Sequence, residues 1–431
     1  MMIFSFLALV FSEGIRVAGQ LAKYNIIVAY KDPVEQNTEL GKTVISVLNG
    51  DLNNCQKFNS SIGEREDTET PSEGTHFVVL MKLNRVRPDH CVVQFQIRDP
   101  NRGKIVFEDQ FAQDLQTPLV KGKFRYVAHQ IAQKVLKATH GLQGMFQTEL
   151  VAIKKVGPKA YKLVICDYDG HNEREIVQSP NMILDPKVSK CGQLVLFRTL
   201  NRAQGQKIWI YNLNTNRSRC VSDELKKHGG KNVFGKNISS ADFGLTPQHV
   251  IFARSSGQTT NIYEYDLATR QVREVTRRVK YNIQTCPIYA NPHTIFYSSD
   301  VSGIEAIYCN GLPFDLNAGF MGRVNFSQPY IHAKKFVCSV RGREEGSGYT
   351  GIICVDDFSN PEKVANARVI ITIPRPGFLE KPRLSGDFVL CRNTYGNSKT
   401  LMWVPADAQH NEAFVLKRGN FLEADVFPTR S

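Results

Sequence analysis

No Cys-x-x-Cys pair occurs among the ten cysteines (Cys55, Cys91, Cys166, Cys191, Cys220, Cys286, Cys309, Cys338, Cys354 and Cys391). That removes the usual spacing for a structural zinc or a thioredoxin-like redox site. The chain also lacks a Gly-x-Ser-x-Gly elbow, a His-Glu-x-x-His pair and a phosphate loop; Gly346-Ser-Gly348 does not have the elbow spacing. The histidines are dispersed, and neither His129 nor His332 has a second ligand at metal spacing. The sequence therefore gives no catalytic residue, no metal and no cofactor. A long basic run is missing too. The formal net charge is +13, but the lysines and arginines are scattered, as on a solvated basic surface, and no nucleic-acid partner is expected. Beyond the first 22 residues no segment is long and apolar enough to cross a bilayer, so no direct membrane insertion is expected.

What is present is ordinary globular material, 42% hydrophobic and 10% aromatic over 431 residues, enough for more than one domain. Ile3 to Phe11 is apolar, too short to span a membrane, and fits the core of a secretory signal, although no Lys or Arg precedes it. Residues 1–22 are thus expected to be a signal peptide and N-terminal segment. Most cysteines lie in apolar strand-like runs and read as small buried hydrophobes. Export would permit one or two disulfides, with the pairing left open.

Residues 23–144 read as an α/β domain. Asn25 to Tyr30 is a buried-strand run. Asp32-Pro33 opens a helix, with Glu35 completing a capping box and Leu40, Val44, Val47 and Leu48 keeping helical spacing. Glu64 to Gly74 is a polar loop. Strands are expected at His76 to Leu83, Cys91 to Arg98 and Lys104 to Phe111. A second helix from Leu119 carries the stripe Val120, Phe124, Val127, Ile131 and Val135, and stops at His140-Gly141.

From residue 145 to 431 short β runs take over. A strand–turn–strand phrase, Asn261 to Thr276, recurs at Lys207 to Val221 and Tyr161 to Val177. A second phrase is Pro or Ala, any residue, then an apolar residue. It occurs at Pro186-Lys-Val188, Ala241-Asp-Phe243, Pro287-Ile-Tyr289, Pro329-Tyr-Ile331, Pro382-Arg-Leu384 and Ala424-Asp-Val426. One such unit cannot bury its own apolar face, so repetition implies a stacked or radial array. The first five phrases each begin a complete unit. Glu149 to Val177 lacks a leading strand, which the sixth phrase at the C-terminus supplies. A six-bladed β-propeller closed by the C-terminal strand follows, with no open edge at the seam.

Phe124-Arg-Tyr-Val-Ala-His129 through Leu142-Gln-Gly-Met-Phe-Gln-Thr148, together with Tyr161 to Gly170, resembles the TolB family, the periplasmic components of the Tol-Pal system. The usual Ser-Pro-Asp-Gly turn of that family's blades is degraded here to Ser189-Lys-Cys-Gly192, Thr246-Pro-Gln-His249 and Ser385-Gly386. The resemblance implies a non-enzymatic periplasmic adaptor. It would bind a Pal-like outer-membrane lipoprotein at the propeller mouth and contact a TolA-like inner-membrane protein through its N-terminal segment. Its role would be outer-membrane integrity and invagination during cell division. The loops before the inner strands place Asn237, Ser240, Asn282, Thr285, Cys286, Asn325, Ser327, Glu380 and Glu423 at that mouth. Asn237 with Ser240, and Thr285 with Cys286, match the family contacts best. Glu13, Ile15 and Arg16 lie in the segment resembling the TolA contact. The competing reading is a propeller hydrolase or lyase using channel carboxylates such as Asp300 and Glu305; a basic-surface polysaccharide or nucleic-acid binder is a third.

Overall fold

The computed structural model describes residues 23–64, 71–87, 90–114, 120–228, 238–256, 259–276, 284–316, 324–344, 347–360, 364, 367–408, 413–416 and 420–428. The chain divides into two compact units, Met1–Gln147 and Thr148–Ser431.

The first unit is a five-stranded sheet of order β2-β1-β3-β4-β5 with helices. Its strands are β1 (Tyr24–Tyr30), β2 (Phe58–Ile62), β3 (Phe77–Arg87), β4 (His90–Asp99) and β5 (Lys104–Asp114). β1 runs parallel to β2 and β3, and β3 to β5 form an antiparallel meander. The helix expected from Asp32 is two helices, α1 (Pro33–Asn37) and α2 (Glu39–Asn54). Thr38 breaks it: its backbone is extended, and its hydroxyl accepts from Gly41 N at 2.9 Å and caps α2, the role Thr plays better than a helix-interior one. The capping box is not made either. Asp32 accepts from Val34 N at 2.9 Å, but Glu35 reaches across to accept from Leu83 N at 2.7 Å. α3 (Val120–His140) ends before Gly141, whose φ of +71° suits a residue without a side chain. Val44, Leu48 and Leu52 of α2, and Val127, Ile131 and Val135 of α3, are fully buried. Between them His129 meets Asp51 at 2.7 Å, both inside the core.

The second unit is six four-stranded antiparallel sheets. Blade I holds β6 (Glu149–Gly157), β7 (Ala160–Asp167) and β8 (Arg174–Ser179). Blade II is β9 (Met182–Val188), β10 (Leu194–Asn201), β11 (Gly205–Asn212) and β12 (Arg217–Cys220), followed by helix α4 (Val221–His228). Blade III is β13 (Ile238–Phe243), β14 (His249–Ser256), β15 (Thr259–Asp266) and β16 (Val272–Glu274). Blade IV is β17 (Gln284–Asn291), β18 (Thr294–Ser299), β19 (Ala306–Cys309) and β20 (Leu312–Pro313). Blade V is β21 (Val324–His332), β22 (Lys335–Glu344), β23 (Ser347–Val355) and β24 (Arg368–Pro374). Blade VI is β25 (Phe378–Ser385), β26 (Phe388–Tyr395), β27 (Ser398–Pro405) and β28 (Phe414–Leu416).

The last strand, β29 (Phe421–Val426), pairs with β6 and completes blade I, with Ala424 opposite Ala152 and Val426 opposite Leu150. The ring is therefore a six-bladed propeller closed by its C-terminal strand, as the repeat count requires. Buried clusters bridge neighbouring blades: Ile153 with Ile183 and Val195, Ile208 with Phe252, Ile251 with Tyr289, Phe296 with Phe336, and Val337 with Leu384. At the seam Trp403 Nε1 donates to Tyr168 O at 3.1 Å, Phe427 N donates to Glu149 O at 2.9 Å, and the Thr148 and Ser385 hydroxyls meet at 2.5 Å. The phrase read as strand through Val221 stops one residue earlier. Val221 and Leu225 are fully buried on one side of α4, and that i, i+4 pair favours a helix.

Candidate functional site

Each of the six repeated phrases lies in the middle or second half of an inner strand, β9, β13, β17, β21, β25 or β29. Every one of these strands slips register against its neighbour just before or within the phrase. A bulge of this kind re-aims the side chain at the slip. In four blades the residue before the proline takes a left-handed backbone: Asp185 (φ 46°), Cys286 (φ 51°), Gln328 (φ 57°) and Lys381 (φ 55°). Ser240 and Glu423 hold the same position in the two blades where alanine replaces proline. These six residues form a ring around the axis. Asp185, Ser240, Cys286, Gln328 and Lys381 line a cavity of about 190 Å³.

The ring is tied across blades. Cys286 N donates to Ser240 Oγ at 2.9 Å, and Lys381 N donates to Gln328 Oε1 at 2.5 Å. The Lys381 ammonium bonds both Asp185 and Glu423, and Arg198 from β10 pairs with Asp185. Arg392 from β26 holds Glu380 at 2.8 Å and Glu423 at 3.3 Å, and Thr394 donates to Glu380 at 3.0 Å. Burial alone would raise both glutamates. For Glu423 the Lys381 and Arg392 charges outweigh it, and for Glu380 Arg392 does, so both carboxyls sit below the usual range.

The middle residue of each phrase forms a second ring one layer further in: Lys187, Asp242, Ile288, Tyr330, Arg383 and Asp425. Lys187 pairs with Asp242 at 3.0 Å and Arg383 with Asp425 at 2.7 Å. Val188 N donates to Asp425 at 2.7 Å, and the Arg383 guanidinium stacks 5.0 Å from the Tyr330 ring. Beyond this layer, at the end where the inner strands finish, a larger cavity of about 490 Å³ is lined by Phe243, Tyr289, Ile331, His332 and Phe427 among others. Burial and the nearby Lys335 lower the His332 pKa.

The opposite end, where the inner strands begin, carries the hairpins joining the second and third strands of the blades. Large apolar side chains stand exposed there: Val156, Met182, Leu200, Val301 and Tyr395, from 37% for Leu200 to 62% for Tyr395. Among the described residues of the propeller, Leu312 is the one exposed large apolar side chain elsewhere.

Asn237, Asn282, Glu13, Ile15 and Arg16 lie outside the described residues. Thr285 is in β17 opposite Ser298. The bonds above bring Ser240 to Cys286 and, through Arg392, Glu380 to Glu423. Asn325 is at the same end but accepts from Glu305 N at 3.2 Å, and Ser327 is buried. Asp300 and Glu305 flank the β18–β19 hairpin and line neither cavity; burial raises the Glu305 carboxyl. Sequence reading missed Asp185, Lys381, Arg198 and Arg392. The first two were legible as the residues standing before a phrase proline; the arginines come from separate strands, and no local signal marks them.

A family model described as the TolB beta propeller domain matches residues 136–424. Proteins named Tol-Pal system protein TolB are similar in sequence. That of Blochmanniella floridana is 26% identical over 242 residues, 53% of this chain and 51% of that protein. That of Francisella tularensis strain SCHU S4 is 26% identical over 280 residues, 62% and 60% of the two. The chain thus spans less than two thirds of the length of these curated relatives. The crystal structure of TolB from Acinetobacter baumannii superposes with a TM-score of 0.70 at 18% identity, covering 94% of this chain and 97% of that one, a likeness of fold. With the model matched over more than half its length, the chain belongs to the TolB beta-propeller family.

Proposed function

We propose that this protein is a non-enzymatic adaptor of a Tol-Pal system, working in the periplasm. On this reading it binds a Pal-like outer-membrane lipoprotein on the propeller face where the inner strands begin, and a TolA-like protein through its N-terminal segment, in support of envelope integrity during division. One observation carries the reading: the exposed apolar side chains Val156, Met182, Leu200, Val301 and Tyr395 gather on that face. Isolated exposed hydrophobes need no explanation, but a set surrounding one opening marks an interaction surface. The channel carboxylates favour the adaptor over a hydrolase or lyase. Asp185, Glu380, Glu423, Asp242 and Asp425 each face a cation, so they serve as counter-ions and not as a poised acid and base. Among the described residues no helix is long and apolar enough to cross a membrane.

The test is binding of the folded domain of the Pal-like lipoprotein from the same organism, by calorimetry. Val301→Asp and Leu200→Asp should each weaken it at least tenfold, and Thr285→Arg should abolish it, while tryptophan fluorescence melts stay unchanged. Binding that ignores all three substitutions removes this face as the docking site.

A further inference from the structure

The channel wall is polarised in a way the adaptor reading does not use. Lys187, Arg198, Lys381 and Arg383 line the 190 Å³ cavity, as do Asp185 and Asp242. Glu423 and Asp425, which complete the ion pairs of Lys381 and Arg383, are not among its lining residues. The cations therefore face the cavity in excess, with part of their counter-charge set behind them.

The shortfall is on one side. Arg383 is well compensated: burial would lower its pKa, but Asp425 raises it further. Arg198 is not. Burial pulls its guanidinium down to about 10 despite Glu423. Its Nε is buried without an acceptor, in a side chain only 6% exposed. Lys381 is likewise lowered by burial, which Glu423 only partly offsets. A buried guanidinium N–H without an acceptor costs free energy that an oxyanion would return. Ser240, Cys286 and Gln328 complete the wall around these two cations with neutral groups.

We propose that the Arg198–Lys381 side of the central cavity is an oxyanion site, taking a carboxylate or phosphate group, either as a free small anion or at the tip of a partner's chain. The second source rests on the adaptor reading; the first does not.

The experiment compares Gln328→Glu with the wild type, whose glutamine is the neutral isostere, in the full chain. The glutamate places a carboxylate on the cavity wall beside Lys381 and supplies the anion from within. It should melt several degrees above the wild type, followed by tryptophan fluorescence. Inorganic phosphate or acetate, titrated by calorimetry at constant ionic strength against chloride, should bind the wild type saturably and Gln328→Glu at least tenfold more weakly. That pattern identifies a free anion. If instead neither salt binds, the folded Pal-like domain should bind the wild type but not Gln328→Glu. It should also lose at least tenfold when one of its own carboxylates is changed to the amide. That pattern identifies a partner's carboxylate. Phosphate binding without any Pal-like binding leaves the site standing and removes the adaptor. A glutamate variant less stable than the wild type, with neither probe separating the two, overturns the site: the added carboxylate would then meet only Asp185 and Asp242.

Discussion

Asp425→Ala tests how the ring is closed. Asp425 sits on the last strand, between Arg383 of blade VI at 2.7 Å and Val188 N of blade II at 2.7 Å. Its side chain is 4% exposed and that of Arg383 is 5%. Removing one member of a buried pair leaves the other charge uncompensated, which costs about 3–5 kcal/mol. The loss of an acceptor for Val188 N falls within the same perturbation and is not added separately. For a unit of this size about 1 kcal/mol moves the midpoint by roughly 2 °C, so a fall of about 6–10 °C is expected. The assay can be confined to the propeller. The chain has two tryptophans, Trp209 in β11 and Trp403 in β27, and Trp403 is fully buried with its Nε1 on the seam. Their fluorescence melt therefore reports the ring and not the α/β unit. Replacing both charges, Asp425→Leu with Arg383→Met, should recover most of the loss, because the desolvation cost disappears with the pair. A shift under about 2 °C for Asp425→Ala, or a double variant as unstable as the single one, would refute the pairing as a closure element.

Glu380→Gln should lower propeller stability by about 1–2 kcal/mol at pH 7, the scale of a weakened charge-assisted bond to Arg392. Because the folded-state pKa of Glu380 lies below its unfolded value, its contribution is fully present above about pH 4.3 and is lost as pH falls through the folded value. The gap between wild type and variant in urea titrations should therefore close on acidification; a gap that is constant to pH 3 contradicts the assignment. Gly351→Ala should destabilise by about 1–3 kcal/mol through overpacking. A Cβ there would stand 2.7 Å from Ile371 O, a backbone atom of the neighbouring strand with little room to yield. An unchanged urea midpoint would show that β24 can move aside.

The architecture was legible because it is periodic. The phrase closing each inner strand repeats with its proline or alanine, and an orphan sixth copy at Ala424 has a use only if the ring closes on β6. The site was legible in part. The unspecified middle residue of that phrase is the second channel layer, and the residue before its first letter is the first layer. Nothing local announces that a left-handed bulge turns Asp185, Cys286, Gln328 and Lys381 inward, or that Arg198 and Arg392 arrive from other strands. The misreadings have the same root. Thr38 caps a new helix where apolar spacing runs on, and α4 is eight residues long, too short for periodicity to stand out among strands. β2 has only Phe58 fully buried in Phe-Asn-Ser-Ser-Ile, and its one other apolar residue, Ile62, is exposed, so its pairing with β1 leaves little trace in the pattern.

Hydrogen exchange of the full chain, with and without the folded domain of the Pal-like lipoprotein, addresses the docking face most directly. Slowed exchange is expected in the hairpins at 156–160, 200–205, 299–306 and 395–398 and at the starts of β9 and β25. Protection confined to the other end of the channel, around 188–190, 331–333 and 426–428, would contradict it.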